Sequence, residues 1–158
     1  MVADILEWLA LTPVAVSLKR SAILYMFANA AHILSIGLLV GAILPLDLRL
    51  VGLFRTVPLE AVGPFLSRAA GFGLCAAVAT GLCLFAVRPF EYVQNPAFLA
   101  KVGLLALGAV NVLVVHAGQD WRIAVSDGVV SPALRISAAL SMMTWIAAIV
   151  AGRWIGFL

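Results

Sequence analysis

The chain has 158 residues, 65% of them hydrophobic and 11% charged, with a formal net charge of +3 and a mean hydropathy of +1.16. Soluble domains carry about 25% charged residues, so a chain this apolar cannot cover its own surface with polar groups and reads as an integral membrane protein. The ten Lys and Arg are scattered along the chain, which excludes a nucleic-acid patch, and the length fits one membrane domain over residues 1–158.

In the opening stretch MVADILEWLALTP, Asp4 and Glu7 stand where a secretory signal has basic residues, so it reads as part of the mature chain. Residues 4–11 suit a short amphipathic helix lying along the membrane surface, stopped at Thr12-Pro13. A spanning helix needs about 20 mostly apolar residues, and four stretches supply them. The first runs over 21–44 and is ended by Pro45; the second runs over 68–87 and is ended by Arg88-Pro89. The third covers 97–117, up to Gly118, and the fourth covers 132–154. Asn95-Pro96 and Ser131-Pro132 each put a capping residue before a proline, the pattern of a helix start. Backbone groups in lipid must be satisfied within the segment, which makes these runs helices. Short connectors make successive helices antiparallel. The expected fold is an all-α, up-down-up-down bundle of four transmembrane helices with a short interfacial helix before it. The basic residues divide evenly between the two sides, so the positive-inside rule gives no orientation.

Small residues mark expected helix contacts: Gly37 and Gly41 in the first helix, and Ala69, Gly73, Ala77 and Gly81 in the second. Tyr25, Trp121 and Trp154 sit near helix ends, as interfacial aromatics do, whereas Trp145 falls mid-helix and reads as a packing residue. Cys75 and Cys83 are two turns apart, too far for a disulfide. Met142 and Met143 are adjacent, project in different directions and read as core.

Ionisable groups inside a span are costly and mark functional candidates. His32 lies near the middle of the first helix, with Asn29 and Ser35 on a similar face. Lys101, Gly108 and Asn111 form one stripe of the third helix. Helical rise places His32 between Lys101 and Asn111 in depth. The expected site is therefore a cofactor pocket lined by His32, Lys101 and Asn111, with Gly108 leaving room for a flat ligand. His32 and His116 are the candidate metal ligands, although rise offsets them by roughly 13 Å, which argues against both binding one upright haem. Asp47 and Arg49 follow Pro45 and are expected at the membrane rim, paired with each other or with Arg55 or Arg68; Asp47 is also placed to serve a substrate or proton path. Arg135 reads as a further rim charge.

The segments AHILSIGLLVGAILPLDLRLVGLFR and NPAFLAKVGLLALGAVN resemble small bacterial four-helix membrane proteins of unknown function. More distantly they are similar to the copper-resistance protein D group, through an early helical histidine, Gly41 to Pro45, and the series Lys101, Gly108, Asn111. The J-type protoporphyrinogen oxidase shares the early histidine and the lysine, but has a histidine where this chain has Asn111. The resemblance implies a multi-pass protein of a bacterial inner membrane in which His32 and Lys101 serve a cofactor or ion site. Walker A, G-x-S-x-G, H-E-x-x-H, dinucleotide and C-x-x-C motifs are absent, so the chain is not expected to act as an enzyme by itself. Three functions follow as expectations: a redox protein holding haem b between the first and third helices, a permease component for copper or another small solute, or a cofactor-free scaffold. Its expected partners are the lipid bilayer and another membrane subunit or a second copy, with no nucleic acid.

Overall fold

The computed structural model describes residues 1–157, helical nearly throughout. Its helices are α1 (Val2–Ala10), α2 (Pro13–Arg20), α3 (Ala22–Val51), α4 (Leu59–Phe85), α5 (Pro89–Gln94), α6 (Pro96–Ala117), α7 (Gln119–Asp127) and α8 (Pro132–Trp154), the last continued by a 3-10 turn at Ile155–Phe157. No strand occurs among the described residues. Helices α3, α4, α6 and α8 are long and apolar enough to cross a membrane. Leu34, Phe65, Phe72 and Leu113, on their outer faces, are 69–75% exposed. In water this would be an aggregating surface; in lipid it is an ordinary outer face. The protein is a multi-pass, all-α membrane bundle.

The starts of α6 and α8 follow from their caps. Asn95 Oδ1 accepts from the backbone N–H groups of Ala97 and Phe98, and Ser131 Oγ accepts from that of Leu134. The proline after each cap occupies a position whose N–H has no partner inside a helix.

The other two spans are longer than expected. Helix α3 does not end at Leu44 but runs through Pro45 to Val51. Pro45 forfeits one backbone hydrogen bond and crowds the carbonyl four residues earlier. Beyond it, however, Leu46, Asp47 and Leu50 are all buried, and packing holds the segment helical. The helix stops at Gly52, whose φ of +111° suits glycine. Helix α4 starts at Leu59 rather than Arg68 and passes through Pro64. Its first turns bury Leu59 and Gly63, and a Cβ on Gly63 would touch Trp121 and Val125 of α7 at 3.5 Å.

Three further short helices are α2, ahead of the first span, and α5 and α7, which occupy segments expected as connectors. Each is docked by one or two buried residues: Ala15 and Leu18 on α2, Pro89 on α5 and Ala124 on α7. Helix α1 turns Leu6 inward and leaves Ile5 and Trp8 exposed, the two-faced pattern of an interfacial helix.

Facing pairs give the direction of each span. His32 meets Gly81 and Leu39 meets Gly73, so α3 and α4 are antiparallel. Phe85 stacks on Phe98 at 5.4 Å while Ser67 meets His116, so α4 and α6 are antiparallel. Lys101 meets Gly152 and Gly108 meets Trp145, which makes α6 and α8 antiparallel. Helix α3 packs along both α4 and α8, and α8 along α6. The core lies between α3 and α8, around Leu39, Ile43, Leu46, Leu134, Ala138 and Trp145.

Candidate functional site

The polar residues of the four spans form two separate groups, one toward each end of the bundle. The first is built on His32. Its Nδ1 lies 2.9 Å from Thr80 Oγ1 on α4. The single Thr80 hydroxyl proton is directed back to the carbonyl of Ala76, at 2.7 Å, within its own helix. Thr80 Oγ1 therefore accepts, and His32 Nδ1–H donates. This fixes the tautomer and leaves a lone pair on Nε2, for which no partner occurs among the described residues. The Cε1 corner of the ring packs against Gly81, where a Cβ would fall 3.1 Å from Cε1. On α6, Lys101 stands at the same end of the bundle, three residues after Phe98, which stacks on Phe85 of α4. Its stem crosses Gly152 of α8, with Nζ 3.1 Å from where a Cβ would sit. Among the described residues no acid lies within ion-pair distance of Lys101; the ion pairs there are Met1 with Asp4 and Arg88 with Glu91.

The second group lies at the far end, around Asp47. This residue is 3% exposed. It faces a cavity of about 20 Å3, room for one water-sized guest. Asn111 and His116 of α6, Trp121 of α7, and Ser137 and Ser141 of α8 share the lining. The Ser141 hydroxyl is close enough to act on the Asp47 carboxyl group. Even so, Asp47 Oδ2 and Ser141 Oγ close no hydrogen bond of ordinary geometry and are both buried without a partner. Asn111 Nδ2 donates to the Ser137 carbonyl at 3.2 Å, which identifies its other amide atom as the oxygen, an acceptor. His116 is committed on both sides: Nδ1–H donates to the Val112 carbonyl at 2.9 Å, and Nε2 accepts from the Ser67 hydroxyl at 2.6 Å. Trp121 packs on its ring, with centroids 4.8 Å apart.

The single pocket expected between α3 and α6 is thus divided. His32 and Lys101 stand at one end and Asn111 at the other, because α3 runs on to Asp47 and it is Asp47, not His32, that shares a cavity with Asn111. Gly108 leaves no room for a flat ligand: the Trp145 indole fills it, with Cζ2 2.9 Å from the place of a Cβ. His32 and His116 do not meet. Their partners on α4, Thr80 and Ser67, are roughly 20 Å apart by helical rise, more than the offset expected from the sequence. Asp47 and Arg49 form no rim pair. Helical geometry turns Asp47 inward and Arg49 outward, where Arg49 Nε donates to the Val57 carbonyl at 2.7 Å.

Sequence reasoning missed Ser67, Thr80 and Ser141. Hydroxyl residues are common in spanning helices and carry little signal alone. Thr80 does lie one turn after Ala77 on the small-residue stripe, the face of α4 turned to α3.

A model of a family of unknown function (DUF6644) matches residues 6–158, which takes in both polar groups and all four spans. No curated protein and no solved structure matches the chain. The chain belongs to that family of unknown function, DUF6644.

Proposed function

We propose that the protein is a redox component of a bacterial inner membrane that holds haem b, or a similar metal-centred cofactor, through His32 with Lys101 beside it. The observation that carries this reading is the 2.9 Å contact of His32 Nδ1 with Thr80 Oγ1, which assigns the ring proton to Nδ1 and leaves the Nε2 lone pair for a ligand. A ligating histidine characteristically donates its second ring N–H to a fixed acceptor, which sets the tautomer and the ring orientation. The chain of hydrogen bonds from His32 through Thr80 to Ala76 offers such a hold on the ring. Lys101 adds a cation with no acid partner among the described residues, suited to an acidic substituent of the cofactor. The resemblance to the J-type protoporphyrinogen oxidase rests on these same two residues. Bound haem would supply one-electron chemistry; the chain would supply a ligand and a counter-charge. His116 is no second ligand here, since both its nitrogens are engaged, and the seat is not the one expected at Gly108.

Copper has less support. Met143 is 63% exposed, Cys75 is exposed, and no three of His, Cys, Asp and Glu converge on one point among the described residues.

The test is an optical spectrum of protein purified from haem-replete cells. A Soret band is expected in the wild type, lost in His32→Ala and retained in His116→Ala. Lys101→Met is expected to weaken haem retention. No band in the wild type, or an unchanged one in His32→Ala, would sink the reading.

A further inference from the structure

The group around Asp47 has chemistry of its own, independent of His32. A carboxylate buried without a counter-charge or a full set of hydrogen bonds is strongly disfavoured. Asp47 has neither: one of its oxygens and the facing Ser141 hydroxyl are orphaned, beside a cavity of about 20 Å3. Two residues that carry neutral acceptor oxygens line the same space, Ser141 and Asn111. We infer that Asp47, Ser141 and Asn111 form a binding site for one small monovalent hard cation, of which sodium is the type.

The donor set selects the class. All the available donors are oxygen, which suits hard cations and not copper or zinc. The nitrogen nearest at hand, His116 Nε2, is taken by Ser67. A single carboxylate balances a single positive charge, whereas calcium sites assemble six to eight oxygens. The small cavity excludes a hydrated ion, so water is replaced by the Ser141 and Asn111 oxygens. The competing occupant is a proton on Asp47. Apart from Asp47, the titratable group lining the cavity is His116 of α6; no charged side chain of α4, α7 or α8 lines it, and Arg49 of α3 points away to Val57.

The experiment is heat denaturation of the purified full chain in detergent, with sodium chloride replaced stepwise by choline chloride at constant ionic strength. Sodium is expected to raise the Tm saturably, by about 5 °C at a hundredfold excess over half-saturation. Asp47→Asn should abolish the rise, and lowering the pH should shrink it as protons compete for the same oxygen. The pH effect should survive His116→Gln. Should Asp47→Asn fail to fold, Ser141→Ala keeps the carboxylate and is expected to need several-fold more sodium. Identical sodium and choline curves at every pH overturn the site in favour of a proton alone. A sodium response that persists in Asp47→Asn, is unchanged in Ser141→Ala, or loses its pH dependence in His116→Gln overturns it too. None of these readouts involves the Soret band, so this inference and the cofactor at His32 stand or fall separately.

Discussion

Gly73→Ala is expected to damage this protein more than any other single added methyl group. The Cβ would fall 2.6 Å from the Leu39 backbone nitrogen and 2.9 Å from its Cα. A flexible side chain could swing aside, but two helix backbones in contact can only separate. Overpacking a well-packed core costs about 1–3 kcal/mol, and the upper end applies where the obstacle is backbone. In lipid no water-driven hydrophobic force pulls α3 and α4 together; close backbone approach over small residues is itself the source of their affinity. Heat denaturation in detergent should show a fall in Tm of about 5–10 °C. Gly37→Ala and Gly41→Ala are the controls. Neither Cβ would have a neighbour within 4 Å, so both variants should keep the wild-type Tm or exceed it slightly, since alanine stabilises a helix interior relative to glycine. A Tm for Gly73→Ala equal to that of Gly37→Ala would refute the assignment of the α3–α4 contact.

Trp145→Ala is expected to cost about 3–5 kcal/mol, the range for removing a large buried aromatic. Trp145 is 2% exposed and spans the core from α8 to the surface of α6 at Gly108. Its removal empties the space that keeps α6 seated on α8. Gly108→Ala attacks the same contact from the other side, because the Cβ would lie 2.9 Å from the indole. The two changes are therefore coupled. Gly108→Ala alone should lose about 1–3 kcal/mol by overpacking, yet combined with Trp145→Ala it should cost little more than Trp145→Ala alone, since the clash is gone. A double-mutant cycle on Tm or detergent half-life measures that coupling. Strict additivity would mean that Trp145 does not occupy the Gly108 notch. Trp145 also carries a buried indole N–H without a partner, so Trp145→Phe should be far milder than Trp145→Ala.

The sequence alone determined that the chain lives in a membrane, that four helices cross it, and where α6 and α8 begin. Those features are local. Lipid forces each spanning segment to satisfy its own backbone, so an apolar run of sufficient length is a helix whatever surrounds it. A cap followed by proline fixes a start through contacts within four residues, as at Asn95 and Ser131. The polar residues within the spans were legible as candidates for the same reason, since their cost does not depend on which neighbour they find.

Only the tertiary structure decided how those residues combine. Pro45 looked like a boundary because proline weakens a helix locally, but burial of Leu46 and Leu50 outweighs one lost hydrogen bond. That extension of α3 moves the residue facing Asn111 from His32 to Asp47 and splits one expected pocket into two. Gly108 looked open because sequence shows only the missing side chain, not the indole that enters from another helix. Gly37 and Gly41 carry the spacing of a contact motif and touch nothing, while Gly73 touches backbone. Spacing along a helix fixes which residues share a face. Which face meets which neighbour, and at what depth, is set by the rotation and register of four helices packed together, and that information is not local to any of them.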